Sequence, residues 1–139
     1  MQMKVLVIDD DREMAELLKM TLEHDTYEVI TTNSGAQGAE MVRRTMPDVI
    51  IIDLTMPDID SLQVCREVRK FSSVPILVSS AINKPEMIAQ ALDAGADDYL
   101  IKPIKISMLI AHLKKFARRA KVLGYKIQSN GSGLGQSSP

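Results

Sequence analysis

Several features are scarce in this 139-residue sequence, and each shortage excludes a class of protein. Its one cysteine, Cys65, allows no internal disulfide and gives a cysteine-based metal cluster no second ligand. No apolar run is long enough to span a membrane, and residues 1–4 lack the charged and apolar zones of a signal peptide. The net charge of -1 creates no general attraction to nucleic acid or to an anionic membrane. We therefore expect a single domain that works in the cytoplasm.

The apolar residues that are present form short runs separated by helical patterns. The clearest run, residues 49–52, has four consecutive β-branched side chains without polar alternation, which predicts a strand buried on both faces. The predicted strands cover residues 4–8, 27–31, 49–53, 75–78 and 98–101. A helical pattern follows each strand, so the sequence predicts an α/β fold: a doubly wound parallel sheet of five strands with five helices.

The helices are predicted from apolar residues that recur at spacings of three and four. Asp11 is expected to cap the first helix and Ser107 the last, and the third helix is expected from about residue 61 to residue 70. The residues expected on buried helix faces are Met14, Leu17, Leu18, Leu22, Ala39, Val42, Met46, Val64, Cys65, Val68, Phe71, Ile88, Ala91, Leu92, Leu109, Leu113, Phe116, Ala117 and Ala120. Because the apolar period then ends, we predict one domain at 1–123 and a flexible linker or tail at 124–139.

Polar residues stand where the predicted strands end. Asp9 and Asp10 follow the first strand, and Asp53 ends the third. Because parallel strands end at one edge of a sheet, these acids should meet Ser80 and Lys102 there. Three close carboxylates repel one another unless a cation neutralises them, and an oxygen-rich cluster of this kind suits Mg²⁺. With a lysine and a hydroxyl opposite, the edge would bind a phosphoryl group that a carboxylate accepts in line.

Four sequence blocks occur along the chain in a characteristic order. They are Val-Ile-Asp-Asp, Ile-Ile-Asp-Leu-Thr-Met-Pro-Asp, Ser-Ser-Ala and Gly-Ala-Asp-Asp-Tyr-Leu-Ile-Lys-Pro. Together they resemble the receiver domain of two-component response regulators, over roughly residues 3–121. The resemblance implies a flavodoxin-like sheet with the strand order 2-1-3-4-5, which chemotaxis members of that family show.

The resemblance also implies which residues take part in phosphoryl transfer. Asp53 would be the phosphoacceptor, and the donor would be a phosphohistidine of a sensor histidine kinase or of a phosphotransfer protein. Asp10, Asp53 and the backbone carbonyl of Thr55 would bind Mg²⁺ directly, whereas Asp9 would act largely through water.

A second group of residues would bind the phosphoryl group or respond to it. Lys102 would contact a phosphoryl oxygen, and its peptide bond to Pro103 is expected to be cis. Ser80, followed by Ala81, would supply the switch hydroxyl, and Tyr99 would turn inward when Ser80 moves toward the phosphate. Phosphorylation would thereby alter the surface made by the fourth helix, the fifth strand and the fifth helix.

Two features depart from the family pattern. Ser61 stands where the family commonly has glycine, and a left-handed backbone there would cost a serine more than a glycine. The fourth helix has no lysine or arginine, which removes part of the charge pattern by which DNA-binding relatives dimerise. Asp97 or Asp98 with Arg118 or Arg119 would still supply pairs for a homodimer formed on phosphorylation. We interpret the basic last helix as a solvated face, and expect DNA contact only through a downstream domain that these residues do not encode.

Three other classes of protein remain as alternatives. A flavodoxin-like cofactor binder is disfavoured because residues 9–12 would repel an anionic cofactor in the absence of a metal. An aspartyl-phosphate phosphatase needs a second acid two residues beyond its nucleophile, where this chain has Thr55. A phosphorylation-independent interaction module would be favoured by the loss of Asp10, Asp53 or Lys102, and all three are present. The sequence therefore predicts a phosphorylated switch and not an enzyme that acts on a separate substrate.

Overall fold

The arrangement of the five strands follows from how apolar each strand is. A computed structural model describes residues 2–56 and 60–129, with side chains through residue 119. The strands are β1 (Lys4–Ile8), β2 (Glu28–Thr32), β3 (Val49–Asp53), β4 (Ile76–Ser80) and β5 (Asp98–Ile101). They form one sheet in the order β2-β1-β3-β4-β5, and every pairing is parallel. Every residue of β3 and β4 is buried, as expected of interior strands, whereas β2 and β5 have partly exposed residues at the sheet edges. The predicted fold class and strand order are confirmed.

Five α-helices alternate with the strands. They are α1 (Arg12–His24), α2 (Gly38–Thr45), α3 (Ser61–Arg69), α4 (Pro85–Asp93) and α5 (Ile106–Ser129), and a short 3-10 helix (Gly35–Gln37) precedes α2. The backbone divides into two compact units at Lys105 and Ile106, so the sheet and the first four helices belong to one unit and α5 to the other. Among the described residues, every helix is too short or too polar to cross a bilayer.

The core on one face of the sheet is built from alternate strand residues and three helices. Alternation along the strands places one set of side chains on this face. It consists of Leu6, Ile8, Ile50, Ile52, Ile76 and Val78, which are all 1% exposed or less. Val42 of α2, Cys65 of α3 and Ala91 of α4 belong to the same cluster. Cys65 is 1% exposed, which confirms the prediction that it packs in the core, and its burial raises the pKa of the thiol to about 11.

Gly38 allows α2 and α3 to approach closely. A Cβ atom at this position would lie 3.0 Å from Val64 Cγ1 and 3.2 Å from Ile8 Cδ1. The absence of a side chain therefore lets the first turn of α2 contact both a helix and the sheet.

Several predicted helix faces are wider than the faces that the structure buries. Leu17 is 58% exposed and Leu92 45% exposed, because each lies at the margin of the apolar stripe of its helix. Phe71 lies beyond the end of α3 and is 39% exposed. Met46 is 78% exposed because it is the C-cap of α2, with a left-handed φ of 48° that turns the chain. Ala117 is exposed as well, and these five assignments to the core are wrong.

The bounds of the last helix also differ from the prediction. Helix α5 begins at Ile106, so Ser107 lies within its first turn and not before it. The helix continues to Ser129, so the residues 124–129 of the predicted linker are helical. Residues 57–59 and 130–139 lie outside the described residues, as does the side chain of Ala120. By contrast, Asp11 caps α1 as predicted, since its Oδ1 accepts a 3.1 Å hydrogen bond from the Met14 amide.

Arg69, at the end of α3, holds together the segments that enter β4 and β5. Its Nη1 donates to the carbonyl oxygen of Val74 at 2.7 Å, and its Nε donates to that of Gly95 at 2.9 Å. Its Nη2 lies 2.8 Å from Asp97 Oδ2, which also accepts from the Ile76 amide at 2.8 Å. One guanidinium group thus joins a helix end and the beginnings of two strands.

Replacing Arg69 by methionine should lower the free energy of unfolding by about 2–3 kcal/mol, because it removes the charged donor that binds Asp97 and the part-buried carbonyls of Val74 and Gly95. Urea unfolding followed by circular dichroism measures this change. Lys70→Met is the matched control, since the Lys70 ammonium pairs with Glu67 at 2.8 Å but is 71% exposed. Equal losses in the two variants would contradict the assigned role of Arg69.

Candidate functional site

The parallel register brings the carboxyl ends of four strands to one edge of the sheet. Ile8 pairs with Ile52, so Asp9 and Asp53 are the next residues on neighbouring strands. Asp53 pairs with Ser79 and Ser80 with Ile101, which places Lys102 directly beyond β5 at the same edge. The predicted meeting of these strand ends is what the structure shows.

Three carboxylates form a cluster at this edge. Asp9 and Asp53 are 2% and 4% exposed, whereas Asp10 is exposed. One carboxylate oxygen of each lies within 4.8 Å of the others. Buried carboxylates at this separation are unfavourable without a positive charge, and hard divalent cations prefer oxygen ligands of this kind. The donor set therefore fits Mg²⁺, with Asp9, Asp10 and Asp53 as the residues able to hold it.

Lys102 supplies a positive charge beside the cluster. Its Nζ lies 3.4 Å from Asp53 Oδ1 and 3.8 Å from Asp9 Oδ2, and its side chain is 20% exposed. The Lys102 amide donates to the Ser80 carbonyl at 2.8 Å, and the peptide bond to Pro103 is cis, as predicted. The backbone of β4 and β5 thus fixes the base of this lysine next to the acids.

Thr55 and Ser61 hold Asp53 from the loop that follows β3. The amide and the hydroxyl of Thr55 donate to Asp53 Oδ1 at 3.2 and 3.1 Å. The Ser61 hydroxyl donates to the backbone carbonyl of Asp53 at 2.6 Å and is buried. Ser61 begins α3 and has no left-handed φ, so the strain expected for a serine at this position is absent.

The sequence indicated Ser61 only as a departure from glycine, and its contact with Asp53 was not predicted. The two residues lie eight positions apart, and the bond joins the first residue of α3 to the last residue of β3. No periodicity or motif encodes such a bond. The unexpected hydroxyl next to the cap Asp60 was the available signal.

Ser80 and Tyr99 both contact the peptide groups of Ile82, in the segment between β4 and α4. Ser80 is fully buried, and its Oγ accepts from the Ile82 amide at 3.0 Å. The Tyr99 hydroxyl donates to the Ile82 carbonyl at 2.8 Å. Ala81 lies between Ser80 and Ile82 in the chain and is exposed. Ser80 and Tyr99, the two residues predicted to respond to the phosphoryl group, are therefore linked through Ile82.

The ionisation of Asp9 reflects its burial next to Asp53. The pKa of Asp9 is raised from 3.8 to about 6: burial has the largest effect and the Asp53 carboxylate adds to it, whereas the Asp11 amide and Lys102 lower the pKa. The Asp11 amide donates to Asp9 Oδ1 at 2.9 Å. The ionised form of Asp9 is therefore disfavoured chiefly by its removal from water, and a nearby cation would favour that form.

Comparison with known proteins decides the family. Residues 5–114 match the response regulator receiver domain family. The chain belongs to that family. This receiver domain is 41% identical over 120 residues to the response regulator MprA of Mycobacterium leprae, and 40% identical over 121 residues to the transcriptional regulatory protein KdpE of Staphylococcus aureus. These matches cover 86% and 87% of the chain but 53% and 52% of the relatives, so the chain spans about half their length.

Solved structures agree with this assignment. A two-component response regulator from Clostridium difficile superposes with a TM-score of 0.81 at 30% identity, covering 85% of this chain and 98% of that one. The BeF3-activated N-terminal receiver domain of Klebsiella pneumoniae RstA superposes with a TM-score of 0.79 at 26% identity, covering 83% and 98%. The receiver domain described here is thus a module of two-component signalling.

The raised pKa of Asp9 predicts how stability depends on pH. The folded state holds this proton more tightly than the unfolded state, whose carboxyl has a pKa near 3.8. The resulting stabilisation is fully present below that value and is lost as the pH rises through about 6. In EDTA at pH 7, Asp9→Asn should therefore raise the free energy of unfolding by roughly 1–3 kcal/mol, and the gain should shrink at pH 5.

Urea unfolding at both pH values, with EDTA and with Mg²⁺, measures these differences. Mg²⁺ should stabilise the native domain more than the variant, because an asparagine amide is a weaker ligand than the carboxylate it replaces. Asp11→Asn is the matched control: it removes an exposed charge nearby and keeps a residue that caps α1 equally well. A native domain that is no less stable at pH 7 than at pH 5 in EDTA would contradict the electrostatic account.

Proposed function

We propose that Asp53 is the phosphoacceptor of this receiver domain and that Mg²⁺ is its metal ion. The observation that supports this most directly is the placement of one buried carboxylate between an ammonium group and two further acids. Asp53 Oδ1 lies 3.4 Å from Lys102 Nζ, and Asp53 shares the cluster with Asp9 and Asp10. A buried nucleophile with fixed partners is already oriented for attack.

The proposed reaction transfers a phosphoryl group from a phosphohistidine of a sensor histidine kinase or of a phosphotransfer protein. A carboxylate oxygen of Asp53 forms the new P–O bond, the P–N bond breaks, and the imidazole keeps the electron pair. Lys102 neutralises charge on a phosphoryl oxygen, and Thr55 steadies Asp53 through its two hydrogen bonds. Asp10, Asp53 and the carbonyl of Thr55 would hold Mg²⁺, with Asp9 acting largely through water, and the ion would supply the remaining positive charge.

Asp53 suits the acceptor role better than its neighbours do. Asp9 Oδ1 accepts a 2.9 Å hydrogen bond from the Asp11 amide, so this carboxylate oxygen is already engaged at the start of α1. Asp10 is exposed, so its carboxylate is not pre-oriented by packing. Asp53 is the residue of the three that the loop after β3 contacts through Thr55 and Ser61.

We propose that phosphorylation acts on the segment after β4. Movement of the Ser80 hydroxyl toward a phosphoryl group would give up its bond to the Ile82 amide, and Tyr99 is tied to the carbonyl of the same residue. The phosphorylated state is then a shift in an existing equilibrium that changes the surface of α4, β5 and α5. The domain is in this proposal a switch that assists its own modification and not an enzyme with a separate substrate.

The output of the domain is inferred from its relatives. KdpE of Staphylococcus aureus is a transcriptional regulatory protein, and this chain covers 52% of it. We propose a transcriptional output in the cytoplasm, with DNA contacted by a domain other than residues 1–123. The remaining residues, 124–139, would link the two domains, although the part up to Ser129 is helical. The alternative is an interaction module that works without phosphorylation. Incubation with acetyl phosphate distinguishes it from a phosphorylated switch.

Incubation with acetyl phosphate and Mg²⁺ should add one phosphoryl group to the native protein, because Asp53 and its charged partners are all in place. Intact mass spectrometry measures the addition. Asp53→Asn should show none, and EDTA should abolish the addition to the native protein. Asp11→Asn, an exposed acid two residues from the cluster residue Asp9, is the control and should be modified normally. An unmodified native protein that still binds Mg²⁺ would favour the interaction module.

Phosphorylation should also promote a homodimer through the surface of α4, β5 and α5. Asp97 is not part of this interface in our proposal, since Arg69 and the Ile76 amide bind its Oδ2 within the chain. Sedimentation velocity with and without acetyl phosphate measures dimerisation. Tyr99→Phe, which removes the bond to Ile82, should accept the phosphoryl group but dimerise less. A native protein that is phosphorylated and stays monomeric would exclude the dimer.

A further inference from the structure

The hydroxyl group of Ser61 is buried directly beneath the proposed phosphoacceptor. Ser61 is 1% exposed, and its Oγ lies 2.6 Å from the backbone carbonyl oxygen of Asp53. A hydroxyl at this depth is retained when it has a partner, and here the partner is the main chain of the reactive residue itself. We propose that Ser61 is a positioning residue that orients Asp53 for phosphoryl transfer, an inference that rests on Asp53 being the acceptor.

The peptide group between Asp53 and Leu54 is held from both sides. The Ser61 hydroxyl donates to the carbonyl oxygen of this peptide group. The N–H of the same peptide group, which belongs to Leu54, donates to the Ser79 carbonyl at 2.9 Å. Rotation of this peptide would break both bonds, so the backbone of Asp53 has one favoured orientation. The direction of the Asp53 side chain is set by that backbone.

The bond from Ser61 joins the first residue of α3 to the last residue of β3. Asp60 fixes the same helix start independently, since its Oδ1 accepts from the Leu62 amide at 2.9 Å. Thr55 holds the side chain of Asp53 separately, through two hydrogen bonds to Oδ1. Ser61 therefore acts on the carboxylate through the backbone of Asp53, without contacting the incoming phosphoryl group.

A residue without a hydroxyl cannot make this contact. Alanine keeps the Cβ of Ser61, and glycine removes it, but both lose the donor to the Asp53 carbonyl. Because the position is 1% exposed, bulk water has no direct access to replace the hydroxyl. If positioning is the function, the two variants should behave alike, whereas a role of the Cβ in packing would separate them.

The test measures phosphorylation by acetyl phosphate at saturating Mg²⁺ with intact mass spectrometry, over a range of donor concentrations. Ser61→Ala and Ser61→Gly should both lower the maximal rate by roughly three- to tenfold, since small misplacements of a nucleophile are costly. The half-saturating donor concentration should stay unchanged, because Ser61 does not contact the donor. Ser61→Thr, which keeps a hydroxyl, should retain the native rate within about twofold.

Thr45→Val is the matched control. The Thr45 hydroxyl also donates to a backbone carbonyl, that of Met41, at 2.7 Å. The backbone carbonyl of Thr45 accepts a hydrogen bond from Lys4 Nζ. Lys4 is the first residue of β1, so Thr45 lies at the edge of the sheet opposite to the acids. Thr45→Val should lose some stability and keep the native rate of phosphorylation.

The possible results distinguish this inference from the proposed function. A native protein that takes no phosphoryl group at Asp53 would overturn both. A phosphorylated native protein with native rates in Ser61→Ala and Ser61→Gly would overturn the role of Ser61 alone, and so would slowing in one of these two variants but not the other. Equal slowing in Thr45→Val would attribute the effect to stability and would also overturn it. If Ser61→Thr does not fold, the alanine and glycine variants decide the question by themselves.

Discussion

The burial of like charges at one edge of the sheet is the constraint on which the rest of this structure depends. Asp9 and Asp53 are nearly inaccessible to solvent and share an ammonium group, Lys102, that lies within 3.8 Å of both. Such an arrangement is unstable unless positive charge and hydrogen-bond donors surround it. The amide of Asp11, the loop after β3 and the backbone connection of Lys102 to β4 all serve that need. The charge imbalance that remains is the basis on which we propose that this site binds a metal and a phosphoryl group.

The apolar character of β3 makes this site possible. Its four β-branched residues have no place at the surface, so the strand lies at the centre of the sheet with Asp53 at its end. Because both neighbouring strands run parallel to it, their carboxyl ends deliver Asp9 and Ser80 to the same edge. A fully buried central strand thus carries the proposed phosphoacceptor at its end.

The sequence was sufficient to predict the fold class and the residues at the sheet edge, because both follow from local patterns. Runs such as residues 49–52 identify strands, and parallel topology then brings their ends together. It was insufficient where a contact depends on tertiary geometry. The bonds from Ser61 to Asp53 and from Arg69 to Asp97 join residues 8 and 28 positions apart, and no period encodes them. The exposure of Leu17 and Met46 was missed for a related reason, since apolar spacing marks a stripe but not how much of it a neighbour covers.

The network around Arg69 lies where β4 and β5 begin, at the end of the sheet away from the acidic cluster. A small domain needs stabilising contacts, but close buried carboxylates are destabilising. In this domain the stabilising contacts of Arg69 lie at one end of the sheet and the acidic cluster lies at the other. Mutational tolerance should follow this division. The stability provided by Arg69 adds to the margin that lets the domain accept unfavourable substitutions near Asp53 before it unfolds, so this remote guanidinium affects how far the acidic edge can vary in sequence.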